Sequence, residues 1–357
     1  MTARLKSILL HSLSFLLAGG LLFLALYGVD FDKVWRALRT ANYWWLVPLL
    51  AVVLLSHLAR SWRWMLLLRT LPDRNAERVS LKISFYSVMI GYMANYAAPR
   101  LGEVLRSGNT AVQEKLPFSS VLGTVVAERV LDMLTLAVFL VSVPFLLASQ
   151  LDVLHGVVVE PVTSAFGGLS VWWLLALSSA VLLALGGVSW LLTRPDRPLH
   201  GFWTSRVQPL FASFTGGFMT LRRCPRRGAL LVSTLAIWGC YLIMAHIPFV
   251  MLHMAEPFGL SLVDTWSIFL LGSLGIVVPV PGGTGSYHAI TVATLTQLFS
   301  VAQSPAATYA VLTHAAQLVL YAVVGAICLM LQGTGFQELR ERVRRAQEDD
   351  ENDNAPD

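Results

Sequence analysis

Two stretches break otherwise apolar segments of the chain in the same way, Asn95-Tyr-Ala-Ala-Pro-Arg-Leu-Gly-Glu-Val-Leu-Arg106 and Val278-Pro-Val-Pro-Gly-Gly-Thr-Gly-Ser-Tyr-His288. Each places Pro and Gly, the residues that a buried helix tolerates least, where the middle of a bilayer is expected. Backbone freed from helical hydrogen bonds is stable at that depth only if protein covers it or if it lines a polar cavity. The two breaks therefore indicate a functional site within a membrane-embedded fold.

The composition is that of a polytopic integral membrane protein. Hydrophobic residues make up 55% of the 357 residues and charged residues 13%, and the mean hydropathy is +0.64. A bilayer core of about 30 Å requires about 20 apolar residues per helix. Runs of that length predict an all-α fold with six full transmembrane helices, near 5–27, 43–68, 118–148, 166–193, 229–254 and 305–332.

The distribution of Lys and Arg predicts the orientation of these helices. Four segments rich in Lys and Arg are predicted to be cytoplasmic: 4–6, 60–82, 194–228 and 340–345. Three loops that contain neither residue are predicted to lie outside: 149–165, 255–261 and 301–304. Both termini are therefore predicted to be cytoplasmic, in the inner (plasma) membrane. The remaining outer loop, 28–42, has apolar residues at helical spacing and predicts an amphipathic helix in the interface.

With these constraints, the two broken segments make no net crossing. Segment 81–115 begins and ends on the cytoplasmic side, and segment 262–300 begins and ends outside. The prediction is two opposed re-entrant helical hairpins with their tips near the membrane midplane, an inverted-repeat arrangement typical of transporters. The alternative is that both are ordinary kinked helices that serve only packing. The membrane domain is predicted to span 1–335, followed by a charged and disordered cytoplasmic tail, 336–357.

Charged residues near the first break are candidate substrate-binding residues, together with one amide: Asn95, Arg100, Glu103, Arg106, Glu128, Arg129 and Asp132. The last three lie about 15 Å into the span 118–148, close to the bilayer centre, where ionised groups normally pair. We expect Arg129 to pair with Asp132, and Glu128 to pair with Arg100 or Arg106. Arginines at a helix break suit a phosphate, which they bind through parallel hydrogen bonds. A purely structural salt-bridge network is the alternative, and the two roles are compatible.

The second break has a different chemistry. Gly282, Gly283 and Gly285 lead into a helix that is predicted to start near Ser286. The N-terminus of a helix offers free N–H groups and the positive end of the helix dipole, which favour an anion. His288 follows within one turn and is a candidate for titration near neutral pH, the alternative being a hydrogen-bonded core histidine.

Three motifs, taken in order, resemble a known family: Pro99-Arg100-Leu101-Gly102-Glu103-Val104-Leu105-Arg106, Glu128-Arg129-x-x-Asp132 and Pro279-x-Pro281-Gly282-Gly283-x-Gly285. The chain resembles the flippase-like membrane domain of lysylphosphatidylglycerol synthases, which also occurs alone in bacterial and archaeal membrane proteins. The resemblance covers the chain to about residue 332. In bifunctional members this domain moves aminoacylated phosphatidylglycerol between leaflets, and a separate soluble domain attaches the amino acid. That domain is not expected here, and His288 stands where the family commonly has Glu.

The resemblance implies a stand-alone lipid flippase or transporter whose substrate is a phospholipid or another lipid phosphate. Two alternatives are a membrane enzyme, such as a headgroup or glycosyl transferase acting on a lipid phosphate, and a membrane scaffold. We expect no catalytic residue, metal site or cofactor, because the three cysteines are far apart and no catalytic histidine cluster occurs. The membrane is the expected partner rather than nucleic acid, since the positive charge lies beside helix ends. A homo-oligomer is left open.

Overall fold

The computed structural model describes residues 3–98, 100–147, 224–277 and 280–353. These residues form helices and no strand, which confirms the all-α prediction. Numbered in chain order, the α-helices are α1 Ala3–Leu26, α2 Phe31–Thr40, α3 Leu46–Leu68, α4 Leu81–Asn95, α5 Leu101–Glu114, α6 Phe118–Leu140, α7 Ser142–Leu146, α8 Arg227–Met251, α9 Leu262–Ser273, α10 Ser286–Leu298, α11 Gln303–Leu331 and α12 Phe336–Asp353.

Within the described ranges, four helical segments are long and apolar enough to cross a membrane, and they match four of the predicted spans: Tyr43–Leu68, Phe118–Leu146, Arg227–Met251 and Gln303–Leu331. A fifth candidate is Ser14–Leu26 within α1, which is followed by α2 after a bend of 84°. The predicted span 166–193 lies outside the described residues, so the count of six spans stays a prediction.

Helix α2 forms separately from α1, as its amphipathic pattern predicted. The Asp30 side chain caps its start by accepting hydrogen bonds from the backbone N–H groups of Asp32 and Lys33, at 3.1 and 3.2 Å. None of the α2 residues is buried. This exposure is typical of a helix that lies on a surface, and its position in the membrane interface stays a prediction.

The two breaks each join a pair of helices, as predicted. At the first break, α4 and α5 pack against each other through Gly91 and Gly102, and the Asn95 side chain accepts a hydrogen bond of 2.8 Å from the Gly102 N–H. At the second break, α9 ends in a 3-10 turn, Leu274–Val277, and a second 3-10 turn, Pro281–Gly283, precedes α10. Their re-entry from opposite membrane faces stays a prediction.

The tips of the two helix pairs contact each other. The ring of Tyr96, directly after α4, lies against Gly282, where any side chain would overlap the ring. Gly285 lies against the backbone of α1, and a Cβ atom there would come within 3.0 Å of the Leu22 nitrogen. Both glycines have positive φ, 58° and 86°. The second tip is therefore fixed between α1 and the first tip by glycines that allow close backbone approach.

The tail differs from the predicted disorder, because residues 336–353 form α12. Leu339 and Val343 are each only 2% exposed, and Val343 packs directly on Gly108 of α5. The Ser119 N–H at the start of α6 donates a 2.9 Å hydrogen bond to Asp350. The correction has a simple cause: with Phe336, these residues follow i, i+3, i+7 spacing and form an apolar stripe within a charged sequence.

Candidate functional site

Glu128 is the centre of a buried ionic cluster between α3, α5 and α6. Its side chain is fully buried. Arg106 of α5 donates to Oε2, which is the pairing expected from the sequence. Arg60 and Arg63 of α3 donate to Oε1 at 3.0 and 3.1 Å. Three guanidinium groups therefore converge on one carboxylate, and each makes a charge-assisted hydrogen bond to it.

Asp132, one turn further along α6, accepts hydrogen bonds from the same two arginines of α3. Arg60 donates to Oδ2 at 2.8 Å and Arg63 to Oδ1 at 2.5 Å. The predicted pair between Arg129 and Asp132 is wrong, because Arg129 instead pairs with Glu103 of α5 at 3.2 Å. Residues 128 and 132 share one helix face, whereas residue 129 is turned about 100° from residue 128 and faces a different neighbour.

Arg60 and Arg63, which the Lys/Arg pattern predicts as cytoplasmic orientation charges, lie buried in the fold instead, and the membrane side of their segment stays a prediction. Both lie within α3 and are 3% and 0% exposed. Besides the carboxylates, Arg60 donates to the Tyr241 hydroxyl at 2.8 Å and Arg63 to the Thr234 hydroxyl at 3.2 Å, both on α8. The spacing i, i+3 within an apolar run is the signal that could have identified them as residues of one buried helix face.

Trp64 joins the same three helices. Its ring lies under the guanidinium of Arg106, 4.3 Å from the ring centroid, and its Nε1 donates to the Thr124 hydroxyl of α6 at 2.9 Å. A cation over a fully buried indole is stabilised more strongly than at an exposed site. Arg106 is thereby held by Glu128 on one side and by Trp64 on the other.

The cluster has more positive than negative side chains. Among the described residues, four arginines (Arg60, Arg63, Arg106 and Arg129) face three carboxylates (Glu103, Glu128 and Asp132), so one positive charge is in excess there. A narrow crevice between the first helix pair and α6 borders the cluster and is lined by Val88, Gly91, Tyr92, Asn95, Gly102, Arg106 and Arg129. The Nε groups of its two arginines are buried and make no hydrogen bond within the described residues.

The remaining predicted site residues lie outside this cluster. Arg100 is exposed and forms the left-handed turn before α5, with φ of 62°. Asn95 lines the crevice, but its amide oxygen is used by the Gly102 N–H. At the second tip, close packing accounts for Gly282 and Gly285, whereas a Cβ atom on Gly283 would meet open space.

His288 of the second tip is only 4% exposed. Its Nδ1 accepts a hydrogen bond of 3.4 Å from the Gly285 N–H. Its ring contacts that of His314 in α11, with 4.7 Å between the ring centroids. The structure thus brings together the charged residues of α3, α5 and α6. It places His288 in a separate cluster with His314, whose ring contacts that of Tyr96.

A helical membrane domain with two interrupted helix pairs defines a polytopic membrane protein, and its buried ionic cluster lies between the helices of that domain. Comparison with protein families identifies the family to which the chain belongs. A family model described as the lysylphosphatidylglycerol synthase TM region matches residues 12–325, so the chain belongs to this family. The protein is therefore a membrane protein that acts in lipid metabolism or transport. Comparison with curated proteins and with solved structures gave no match.

Proposed function

We propose that this protein is a lipid transporter that moves a phosphate-bearing lipid between the two leaflets of the membrane. The observation that carries the proposal is the excess of one arginine among the described residues of the buried ionic cluster. An unbalanced charge at membrane depth is costly. The phosphodiester of a lipid headgroup carries one negative charge and would neutralise the cluster while it is bound.

Arg106 and Arg129 are the residues that we expect to hold the phosphate. Both line the crevice, and both have a buried Nε without a hydrogen-bond partner within the described residues. Arginine is well suited to this task because its planar guanidinium binds two phosphate oxygens at once. Glu128 accepts from Nη2 of Arg106, and Glu103 pairs with Nη2 of Arg129. A bound phosphate would compete with these carboxylates for the same guanidinium groups.

Headgroup entry requires the first helix pair to move away from α6, because the crevice is too narrow to hold a water molecule. Arg100 lies exposed at the tip of this helix pair. We expect it to meet an anionic headgroup before the headgroup reaches the crevice. The contact between Tyr96 and Gly282 transmits such a movement to the second tip, so that the two tips open in turn.

The test is lipid movement in proteoliposomes, with fluorescent phosphatidylglycerol and phosphatidylcholine followed by quenching of the outer leaflet. We expect the purified protein to accelerate movement of at least one phosphate-bearing lipid. Arg129→Gln is the variant of choice, because Arg129 and its partner Glu103 are 33% and 25% exposed at the side chain and the substitution spares the buried core. Loss of a charged hydrogen bond of about 1.5–3 kcal/mol lowers the rate about 10- to 150-fold.

Arg340→Gln is the matched control, since Arg340 is exposed on the tail helix. Equal rates for the two variants would contradict the assignment of Arg129. No acceleration over empty liposomes with any lipid would contradict transport itself. Mass analysis of the lipids after the assay separates movement from chemical conversion, and a new lipid product would favour an enzyme instead.

A further inference from the structure

The pair of histidines at the second tip has a role that the proposed phosphate site does not include. His288 of α10 and His314 of α11 are 4% and 8% exposed. Their rings are in contact, with centroids 4.7 Å apart and planes inclined by 59°. Two imidazoles this close to each other in a buried site cannot both hold an extra proton, because the two positive charges would repel.

The hydrogen bond from the Gly285 N–H fixes the protonation of His288. An acceptor nitrogen carries no hydrogen, so the neutral ring has its proton on Nε2 and leaves Nδ1 free to accept. Gly285 immediately precedes α10, and its N–H lies at the end of the helix where backbone donors lack helical partners. The imidazole therefore caps the helix that begins at the tip.

Within the part of the chain that the structure describes, the groups around the pair are polar or aromatic and uncharged. The Thr284 hydroxyl lies 3.2 Å from Nε2 of His314. Tyr287 of α10 contacts both imidazoles and hydrogen bonds to the Thr313 hydroxyl of α11. Three further elements close the site: Tyr96 after α4, the backbone of α1 at Ala18 and Leu22, and the Gly275 carbonyl, which accepts from Ser286.

We infer that His288 and His314 form a site for a single proton, and that binding of this proton releases the second tip. A proton on Nδ1 of His288 turns the acceptor into a donor that faces the Gly285 N–H, so the cap is lost. It also places a positive charge at the positive end of the α10 dipole. The proton comes from water and returns to water when the tip closes. Resting on the proposed function, this makes lipid movement dependent on protons.

The first test is the pH dependence of lipid movement in proteoliposomes, from about pH 8 to about pH 5.5. If the protonated form is the minority form that opens, the rate rises about tenfold for each pH unit of acidification, the slope for one proton. His288→Asn keeps an acceptor at the position of Nδ1 but does not titrate. We expect it to move lipid at a rate that changes less than about twofold over the same range.

His314→Gln removes the second imidazole and so tests its effect on proton binding by His288. Its amide can still reach Thr284, but the competing ring is gone, so His288 binds a proton more easily. We expect the pH profile of this variant to keep the one-proton slope and to move toward higher pH. A flat wild-type profile, or a His288→Asn variant with the wild-type slope, would overturn the inference even if lipid is transported.

The second test is independent of transport. Hydrogen–deuterium exchange of the peptide that contains Gly285 is compared between wild type and His288→Asn at each pH, which cancels the intrinsic pH dependence of exchange. As the pH falls from about 8 to about 5.5, the exchange of the wild-type peptide should accelerate relative to that of the variant peptide, by about tenfold for each pH unit. Equal exchange at all pH values would refute release of the tip. Faster exchange without lipid movement would support the proton site and refute the proposed transport.

Discussion

The Glu128→Gln variant tests whether the buried ionic cluster stabilises the membrane domain. Oε1 of Glu128 accepts from Arg60 and Arg63, and Oε2 accepts from Arg106. Gln offers one acceptor oxygen and turns the other position into an NH₂ donor that faces a guanidinium group. Asp132 still binds the two arginines of α3. The substitution therefore removes the charged partner mainly from Arg106.

The expected loss of stability follows from the burial of the ion pair between Glu128 and Arg106. Glu128 is fully buried and the Arg106 side chain is only 3% exposed, so removal of the carboxylate leaves a charge in a site that water does not reach. Breaking a buried ion pair on one side costs about 3–5 kcal/mol. We expect a loss of that size in the free energy of unfolding, measured by tryptophan fluorescence during reversible unfolding in mixed detergent.

Two further variants serve as controls for this measurement. Glu338→Gln removes an exposed ion pair with Arg342, whose side chain is 42% exposed, and should cost less than about 1 kcal/mol. The double variant Glu128→Gln/Arg106→Gln removes both charges and should recover about 1–3 kcal/mol relative to the sum of the single variants. If Glu128→Gln is no less stable than Glu338→Gln, the cluster does not hold the helices together and the reasoning is refuted.

Two packing predictions concern the helix pair and the tail. Gly102→Ala would place a Cβ atom against the Gly91 backbone carbonyl oxygen and 2.6 Å from the Asn95 amide oxygen, so we expect a loss of about 1–3 kcal/mol in the free energy of unfolding. Gly239→Ala, where no described atom lies within 4 Å of the added Cβ, should be neutral, and equal stability of the two variants would contradict this. Val343→Asp removes the side chain that packs on Gly108. It should speed trypsin cleavage of α12 at least about tenfold, and an unchanged cleavage rate would show that α12 does not depend on this contact.

The sequence predicts the helices well because their signals are local. Pro and Gly at residues 95–106 and 278–288 define two pairs of helices, and the apolar runs define the long spans. The depth of Glu128 within its span also predicts a partner from another element, since an unpaired carboxylate there is too costly. Arg106 is that partner.

The prediction of the cluster is incomplete because counting Lys and Arg does not separate a loop charge from a helix charge. Arg60 and Arg63 lie at the end of an apolar run and at the start of the Lys/Arg-rich segment 60–82, so the sequence predicts them as orientation charges of that segment. Their role depends on which face of α3 meets α6, and that is a property of tertiary packing. The helix in the tail is not predicted from the sequence for a related reason. Its average charge is high, but the two residues that order it, Leu339 and Val343, are a small fraction of its composition.

The contact between the tips decides how the two polar sites influence each other. Tyr96 lies on Gly282 of the second tip, and its ring is 5.8 Å from that of His314. Because Gly282 has no side chain, the tyrosine fills its position, and movement of either tip changes the packing of the other. Tyr96 therefore links the first tip to the histidine pair of the second tip. Closely packed contacts of this kind have discrete arrangements rather than a continuous range, which favours alternation of the two tips over independent motion.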